Sequence, residues 1–449
     1  MILQTFSKRL SEDFHFKELI QGSLTFFILR ILGLIVGYAF TLIVTRNLGA
    51  SCWGIFALCF TVLQITSVIG KLGLDTALLR FIAQYNAQGK VRTARYIYLK
   101  SIIVTIFLSL FLCVLLYYLS PLLAEKVFAK KHLASYLRLV PFALLPFVLL
   151  SINSESLRGF KKIKEYTILK NLIPSLFTLM FFSISFYLLN IRNTKAVIVT
   201  YILGVSVSSL FSFLLLNKEF NNKNGELEKI SLRQILSVSL PMLLSSSLFM
   251  VMSWTDTIML GMWRTEEEVG IYNVAVQLSM ITSFTLGAIN SIAAPKFAEF
   301  WGRKDIKGLT KVAQQSTKLI FWTSFPVLLL FLLFPKLILN IFGSEFKVGA
   351  TSLRILTFGQ FVNAVSGSVG LILSMTGRER FVSYVISIVT VINFILNLIL
   401  IPKFGINGAA VASMICLISW NVIFLMHIYK NYGFVNIYLP FLVNRKRLL

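Results

Sequence analysis

Long apolar runs recur along the whole chain, and they restrict its fold more than any other feature. A helix needs about 20 mostly apolar residues to cross a bilayer. Hydrocarbon offers the backbone no hydrogen-bond partner, so each run is expected to form an α-helix, which predicts an all-α integral membrane protein. Twelve transmembrane helices are predicted, at 23–45, 51–72, 96–119, 136–157, 166–189, 196–216, 234–263, 268–294, 312–334, 350–375, 381–401 and 407–429.

The charge balance narrows the classes of partner. Of 449 residues, 57% are hydrophobic and 14% are charged, which excludes a soluble chain of ordinary composition. The net charge of +25 fits a membrane surface or an anionic substrate, whereas no soluble basic domain is present to bind nucleic acid. The four Cys and three His residues show no metal-type or catalytic spacing, so we expect neither a metal site nor a cofactor.

Lys and Arg residues also predict the orientation, because short cytoplasmic loops retain positive charge. With both termini inside, the inside segments hold 27 of these residues and the outside loops hold 10. Residues 1–18 lack the pattern of a cleavable signal peptide, so the first span is expected to remain as an anchor. Both termini are therefore predicted to be cytoplasmic.

The two halves of the chain show a weak internal repeat. The matched positions, at offsets of 216 and 218, are Gly54-Ile55-Phe56 with Gly270-Ile271-Tyr272, Arg80-Phe81 with Lys296-Phe297, Arg138 with Arg354, Gly159 with Gly377, Lys162 with Arg380 and Tyr166 with Tyr384. Six spans separate the copies, so both halves have the same orientation in the membrane. We predict two six-helix lobes, 1–216 and 234–449, joined by a cytoplasmic linker at 217–233.

Two carboxylates lie within predicted spans and are candidate coupling or gate residues. Asp256 is deep in the seventh span, where a carboxylate is costly and usually faces a bundle interior or a wet cavity. It is interpreted as a proton or cation site or a gate ion pair, or alternatively as a carboxylate held by a neighbouring Lys or Arg. Glu155 lies near the inner end of the fourth span beside Arg158, where an interfacial salt bridge is the simpler interpretation.

Five basic residues within or at the ends of spans are candidates for a cationic cavity. They are Arg30, Lys100, Arg138, Lys170 and Arg354. Each could instead extend its charge to the lipid headgroups. Arg30 is the hardest to explain in that way, because small or polar residues continue one face of its helix. A guanidinium there can bind a phosphate with two parallel hydrogen bonds.

Amide side chains form a polar set in the spans of the second half. They are Asn290, Asn363, Asn393 and Asn397. Asn393 and Asn397 are four residues apart and so share a helix face. Hydrogen bonding between helices is the simpler interpretation, and recognition of a hydroxyl-rich sugar is the alternative.

Short motifs follow one another along nearly the whole chain. They are Arg46-Asn47-Leu48-Gly49, Trp53-Gly54-Ile55-Phe56, Lys71-Leu72-Gly73-Leu74-Asp75, Leu79-Arg80-Phe81-Ile82-Ala83, Leu240-Pro241, Asp256 with Leu260-Gly261, Val269-Gly270-Ile271-Tyr272 with Ala275, and Ile401-Pro402-Lys403-Phe404-Gly405-Ile406-Asn407-Gly408-Ala409-Ala410. Their order and spacing resemble polysaccharide flippases of the Wzx type. That family belongs to the MOP exporter superfamily, with MATE drug exporters and MurJ lipid II flippases as relatives.

The resemblance implies two lobes around a central cavity that opens alternately to each side. It also implies a substrate, a polyprenyl-pyrophosphate-linked oligosaccharide moved from the inner to the outer leaflet of a prokaryotic cytoplasmic membrane for polysaccharide biosynthesis. A cationic cavity suits the pyrophosphate. Transport of this kind breaks no bond, so the chain is expected not to be an enzyme. Its expected partners are this lipid-linked substrate, the bilayer, and a polysaccharide polymerase or other assembly proteins.

Two other functions compete with this interpretation. An ion-coupled, MATE-like antiporter of small molecules would need an acidic lumen, and the first three spans contain no deep Asp or Glu. A membrane enzyme that polymerises or ligates lipid-linked sugars would need an outer catalytic surface. The longest outer connections, at about 120–135 and 335–349, lack a carboxylate pair or a His cluster.

Overall fold

The computed structural model describes residues 14–221, 226–438 and 440, and these residues are helical almost throughout, without a strand. The predicted all-α fold is thereby confirmed. The N-terminal part of the segment 1–18, part of the predicted linker and the C-terminal basic residues lie outside this range.

The helices of the N-terminal half are joined by short turns. They are α1 (Phe14–Lys71), α2 (Leu74–Ala87), α3 (Val91–Leu122), α4 (Ala134–Leu137), α5 (Val140–Gly159), α6 (Ile163–Thr167), α7 (Ile173–Ser183) and α8 (Thr194–Phe220). A π-helical turn at Ile168–Leu172 connects α6 to α7, and others follow α3 at Leu123–Val127 and α7 at Ile184–Leu188. Lys131–Leu133 is a short 3-10 helix.

The C-terminal half is built in the same way. Its helices are α9 (Leu232–Trp263), α10 (Glu266–Thr282), α11 (Phe284–Gly302), α12 (Ile306–Leu333), α13 (Pro335–Asn340), α14 (Ala350–Ser366), α15 (Val369–Met375) and α16 (Glu379–Tyr432). A 3-10 helix at Ser344–Gly349 precedes α14. Thr265 begins α10 with a capping box, because its side chain and that of Glu268 each bond the other's backbone N–H.

Two of these helices are each interrupted by a glycine. The 58-residue α1 breaks at Gly49 (φ 82°, ψ 176°), and the 54-residue α16 breaks at Gly405 (φ 57°, ψ −134°). Both dihedral pairs have a positive φ, which glycine adopts without the clash that a Cβ would cause. Each helix therefore consists of two segments, and both breaks fall in gaps between predicted spans.

Seven helices in the described part of the chain are long and apolar enough to cross a membrane, or up to nine if each bent pair forms one span. The bent pairs are Glu266–Thr282 with Phe284–Asn290, at 49°, and Ser344–Ser366 with Val369–Met375, at 42°. The chain is therefore a multi-pass membrane protein by length and composition. The predicted total of twelve spans stays a prediction.

The chain forms two compact units. The first comprises Cys59–Ser246 together with the chain up to Val44, and the second comprises Thr45–Leu58 and Ser247–Leu449. In the first unit α5 packs against α2, α3 and α8, and in the second α14 packs against α10, α12 and α16. The predicted lobes divided at 217–233 stay a prediction, since compactness alone does not define a functional lobe.

The short segment Thr45–Leu58 is bonded within the second unit. Arg46 Nε donates to the carbonyl oxygen of Ile341 at 2.7 Å, and the backbone N–H of Ala50 donates to Glu345 Oε1 at 2.9 Å. The indole N–H of Trp53 reaches the side-chain oxygen of Asn273 at 3.0 Å. These bonds explain why this part of α1 belongs to the second unit although the residues on both sides belong to the first.

The described part of the predicted linker lies along the start of α3. Thr93 Oγ1 donates to the carbonyl of Glu226 and accepts the N–H of Glu228, both at 2.9 Å. Lys90 forms an ion pair with the Glu228 carboxylate. Lys100 Nζ donates to the carbonyl of Ile230 at 3.0 Å. These four contacts fix the linker to the first unit.

Candidate functional site

Asp256 in α9 is buried at the meeting point of three helices in the second unit, with 3% of its surface exposed. One carboxylate oxygen accepts the Tyr272 hydroxyl from α10 at 2.7 Å and also the Ser413 hydroxyl from α16. The other oxygen accepts the side-chain N–H of Asn397, also from α16, at 2.7 Å. Neutral donors therefore stabilise this carboxylate at a depth where an isolated charge would be costly.

The partners of Asp256 differ from those considered from the sequence. Within the described residues, no Lys or Arg nitrogen lies within 4.0 Å of it, so the expected ion pair with an embedded cation is corrected to a set of neutral hydrogen bonds. The physical reason is that α10 and α16 bring a hydroxyl or an amide to each oxygen. Among the described residues, no basic side chain is close enough to compete.

The amides of α16 extend this polar cluster. Asn397 also donates to Asn393 Oδ1 at 3.1 Å, and both side chains are fully buried. The side-chain oxygen of Asn397 has no hydrogen-bond partner among the described residues, although buried polar atoms are usually paired. A carboxylate beside a spare amide oxygen is a donor set that hard cations take. No group of three or more His, Cys, Asp or Glu that could hold a metal occurs in the part of the chain described.

Glu155 is the corresponding buried carboxylate of the first unit. It forms the anticipated ion pair with Arg158, at 3.3 Å, and a second one with Lys170. From the sequence, Lys170 is predicted to be a separate cavity residue. In the structure, the π-helical turn that follows α6 places its ammonium group beside the Glu155 carboxylate. Two candidate residues thus belong to one cluster.

The other candidate cations lie at separate places. Besides its bond to the linker, Lys100 lies 4.5 Å from the ring centre of Tyr96. Arg138 is exposed and lies 5.8 Å from the ring centre of Tyr117, and Arg354 is exposed and donates to the carbonyl of Leu332 at 3.0 Å. Arg30 is partly buried in α1. One turn further on, Gly33 packs tightly against the backbone of Asn171.

The remaining amides are also placed by the fold. Asn363 in α14 accepts a hydrogen bond from Asn421 in α16 at 3.0 Å, which joins the two helices. The side-chain oxygen of Asn290 in α11 is buried and has no hydrogen-bond partner in the part of the chain described.

Three hydrogen-bond partners of the candidate residues were not predicted from the sequence. They are Tyr272 and Ser413, which bond Asp256, and Asn421, which bonds Asn363. The repeat contained a signal for the first of them. It matched Tyr272 with Phe56, so only the half that contains Asp256 has a hydroxyl at this position.

Comparison with known proteins gives family matches and relatives. The family described as polysaccharide biosynthesis protein matches residues 19–301, and the MatE family matches residues 241–399. An uncharacterized membrane protein of Methanocaldococcus jannaschii is 24% identical over 381 residues, covering 80% of this chain and 74% of that protein. The probable low-salt glycan biosynthesis flippase Agl15 of Haloferax volcanii is 30% identical over 186 residues, covering 41% of this chain and 39% of that protein.

Solved transporters share the fold. An inward-facing multidrug resistance MATE transporter superposes with a TM-score of 0.76 at 16% identity, over 91% of this chain and 98% of that one. Lipid II flippase MurJ, in an inward closed conformation, superposes with a TM-score of 0.73 at 15% identity, over 92% of this chain and 89% of that one. Agl15 and both of these solved proteins are described as flippases or transporters. The chain therefore belongs to the polysaccharide biosynthesis protein family.

Proposed function

We propose that this protein moves a polyprenyl-pyrophosphate-linked oligosaccharide from the inner to the outer leaflet of a prokaryotic cytoplasmic membrane. The observation that carries the proposal is the polysaccharide biosynthesis match across residues 19–301. A flippase homologue in glycan biosynthesis, Agl15, supports a lipid-linked glycan as the substrate. A polysaccharide polymerase or another assembly protein would then receive the flipped product.

Twelve spans in two six-helix lobes are the proposed architecture. The glycine breaks let α1 and α16 provide two spans each. One span each would come from α3, α5, α6 with α7, α8, α9, α10 with α11, α12, and α14 with α15. The lobes would be 1–216 and 234–449, with both termini cytoplasmic, as the distribution of Lys and Arg supports.

Basic side chains are proposed to hold the pyrophosphate while the glycan crosses a hydrated cavity. Arg30 is partly buried in α1, and Lys170 lies beside a second cation, Arg158, on the Glu155 carboxylate, so these two candidates are the best placed. A guanidinium and an ammonium bind phosphate oxygens by charge-assisted hydrogen bonds.

Asp256 is proposed as the coupling site of the transport cycle. Its hydrogen bonds join α9, α10 and α16, so a proton or a cation that enters the cluster would alter the contacts of all three helices. The unpaired oxygen of Asn397 supports a cation at this place.

Transport by the purified chain in proteoliposomes tests the proposal. A lipid-diphosphate oligosaccharide is placed in one leaflet, and its arrival in the other is measured with an added glycosidase. Arg30→Ala should reduce the rate far more than Arg30→Lys, and full activity of both variants would exclude the role of Arg30. No transport above that of protein-free liposomes would overturn the proposed function itself.

A MATE-like antiporter is the second candidate, favoured by the MatE match at residues 241–399. Expression in a drug-sensitive host distinguishes the two functions. An antiporter of cationic compounds confers resistance to cationic dyes, whereas a lipid-linked glycan flippase does not.

A further inference from the structure

Arg158 and Lys170 share one carboxylate and one aromatic ring, although they lie on different helical segments. Both form ion pairs with Glu155. Arg158 Cζ and Lys170 Nζ each lie 5.3 Å from the ring centre of Tyr166, which is within the range of a cation–π contact. These four residues, Glu155, Arg158, Tyr166 and Lys170, are called the Tyr166 cluster below.

The cluster is open on its cationic side. The Glu155 side chain is only 10% exposed, whereas those of Arg158 and Lys170 are 50% and 42% exposed. The carboxylate thus lies beneath the two cations, and the charged residues of the cluster sum to +1. The neighbouring carboxylate, Asp75, forms its own ion pair with Lys71 at 3.0 Å.

The internal repeat allows the same positions to be compared in the second half of the sequence. At the offset of 218, Tyr166 corresponds to Tyr384, so the ring is present in both halves. The three charged positions correspond to Leu373, Thr376 and Ile388, which carry no charge. The ion pairs of the Tyr166 cluster therefore belong to the first half alone, since the second half has uncharged residues at these three positions.

We propose that the Tyr166 cluster binds the diphosphate of the lipid-linked substrate. In this proposal the diphosphate replaces the Glu155 carboxylate as the ion-pair partner of Arg158 and Lys170. This inference rests on the proposed function. A diphosphate carries more negative charge than one carboxylate and offers oxygens to both cations at once, so it competes with Glu155 for them. Before the diphosphate binds, the Glu155 carboxylate orients the two cations and offsets their mutual repulsion.

Substitution of a cation and substitution of Glu155 should change the affinity for the diphosphate in opposite directions. Lys170→Gln and Arg158→Gln each remove a charge-assisted hydrogen bond and should weaken diphosphate binding about tenfold or more. Glu155→Gln keeps the shape of the side chain but removes the competing charge, and it should tighten binding several-fold. If these residues served only to stabilise the fold, all three substitutions would weaken binding.

Binding is measured on the full chain in nanodiscs of zwitterionic lipid, by the change in tryptophan fluorescence. The probe is geranylgeranyl diphosphate, with geranylgeraniol to report the contribution of the prenyl chain and inorganic pyrophosphate to report the headgroup alone. Lys162→Gln is the matched control, because Lys162 is also 42% exposed but pairs with Glu219 at 3.0 Å. It should leave binding of the diphosphate unchanged.

The unfolding temperature, measured with and without the diphosphate, is a second test and applies even if Glu155→Gln destabilises the protein. The two cations of this variant repel each other in the absence of ligand, so its unfolding temperature should fall and should be restored by the diphosphate. The diphosphate should therefore raise the unfolding temperature more in this variant than in the unmodified chain. Weaker binding by Glu155→Gln, or equal binding by Lys170→Gln and Lys162→Gln, overturns the proposed site. If transport of the lipid-linked substrate continues in that case, the proposed function stands and only this site fails.

Discussion

Gly54 and Gly270 lie against each other in the second compact unit, and they are 216 residues apart, the offset of the internal repeat. A Cβ on Gly54 would lie 1.7 Å from the carbonyl oxygen of Glu266, and one on Gly270 would lie 2.1 Å from that of Ala50. Ala50 and Glu266 are also 216 residues apart. Each glycine therefore packs against the carbonyl of the residue four positions before the other glycine, which is the reciprocal arrangement found at a two-fold axis.

Adding a methyl group at this contact should destabilise the protein. Backbone lies on both sides, so Gly54→Ala or Gly270→Ala must separate two helices, at a cost of about 1–3 kcal/mol for overpacking. Thermal unfolding in detergent, followed by intrinsic fluorescence, should shift to lower temperature. Gly302→Ala is the control, since a Cβ at Gly302 meets nothing within 4 Å. Equal unfolding temperatures for the three variants would contradict the close contact.

The Tyr272 hydroxyl should stabilise the protein mainly through Asp256. Tyr272→Phe removes a donor from a buried carboxylate, which should cost about 1.5–3 kcal/mol, because bonds to charged groups are the stronger ones. With Asp256→Asn already present, the same change should cost about 1 kcal/mol or less, since the acceptor is then neutral. A double-mutant cycle on chemical unfolding measures the difference.

Tyr98→Phe provides the comparison for that cycle. The Tyr98 hydroxyl is buried and donates to the neutral amide oxygen of Asn153 at 2.8 Å. Its loss should cost about 0.5–1.5 kcal/mol, the range for neutral partners. A cost for Tyr272→Phe no larger than this, and unchanged by Asp256→Asn, would show that the carboxylate does not depend on this hydroxyl.

Some of this arrangement could be predicted from the sequence. The depth of Asp256 in an apolar run predicted its burial, and the gaps between predicted spans contain the breaks at Gly49 and Gly405. The repeat matched Gly54 with Gly270. These features depend on local composition and periodicity, which a single sequence displays.

The partners of these residues could not be predicted in the same way. Ser413 reaches Asp256 from 157 residues away, and Lys100 bonds a backbone carbonyl 130 residues away. Every residue carries such a carbonyl, so no pattern of residue types marks the one that accepts. That two matched glycines touch depends on how the helices cross, which a match of residue types does not specify.

Thr93 should control the attachment of the linker to α3. Its hydroxyl makes two bonds to the backbone of the linker, and Thr93→Val removes both at nearly constant volume, which should cost about 0.5–1.5 kcal/mol for each bond. Trypsin should then cleave after Lys229 about fivefold faster or more, because cleavage follows the population of the detached state. Thr66→Val is the control, since the Thr66 hydroxyl bonds only the carbonyl of Val62 within its own helix. The same cleavage rate in both variants would mean that other contacts hold the linker.

Arg264 should stabilise the break in α16 in a way that lysine cannot reproduce. The break at Gly405 ends the first segment of α16, and a helix end leaves carbonyls without N–H partners. Arg264 donates to the carbonyl of Ile401 at 2.9 Å and to that of Pro402 at 2.7 Å. A guanidinium spans two acceptors in a fixed geometry, whereas an ammonium is a point charge on a flexible chain.

Arg264→Lys should therefore lower stability by about 1–3 kcal/mol, the cost of leaving a buried acceptor unpaired, and chemical unfolding measures it. Arg354→Lys is the matched control, because Arg354 is exposed and gives a single bond to one carbonyl, that of Leu332. Water can replace that bond, so its loss should change stability by less than about 0.5 kcal/mol. If the two lysine variants were equally stable, the carbonyls at the break would not depend on the guanidinium. A loss confined to Arg264→Lys would show that this arginine closes the helix end that Gly405 opens.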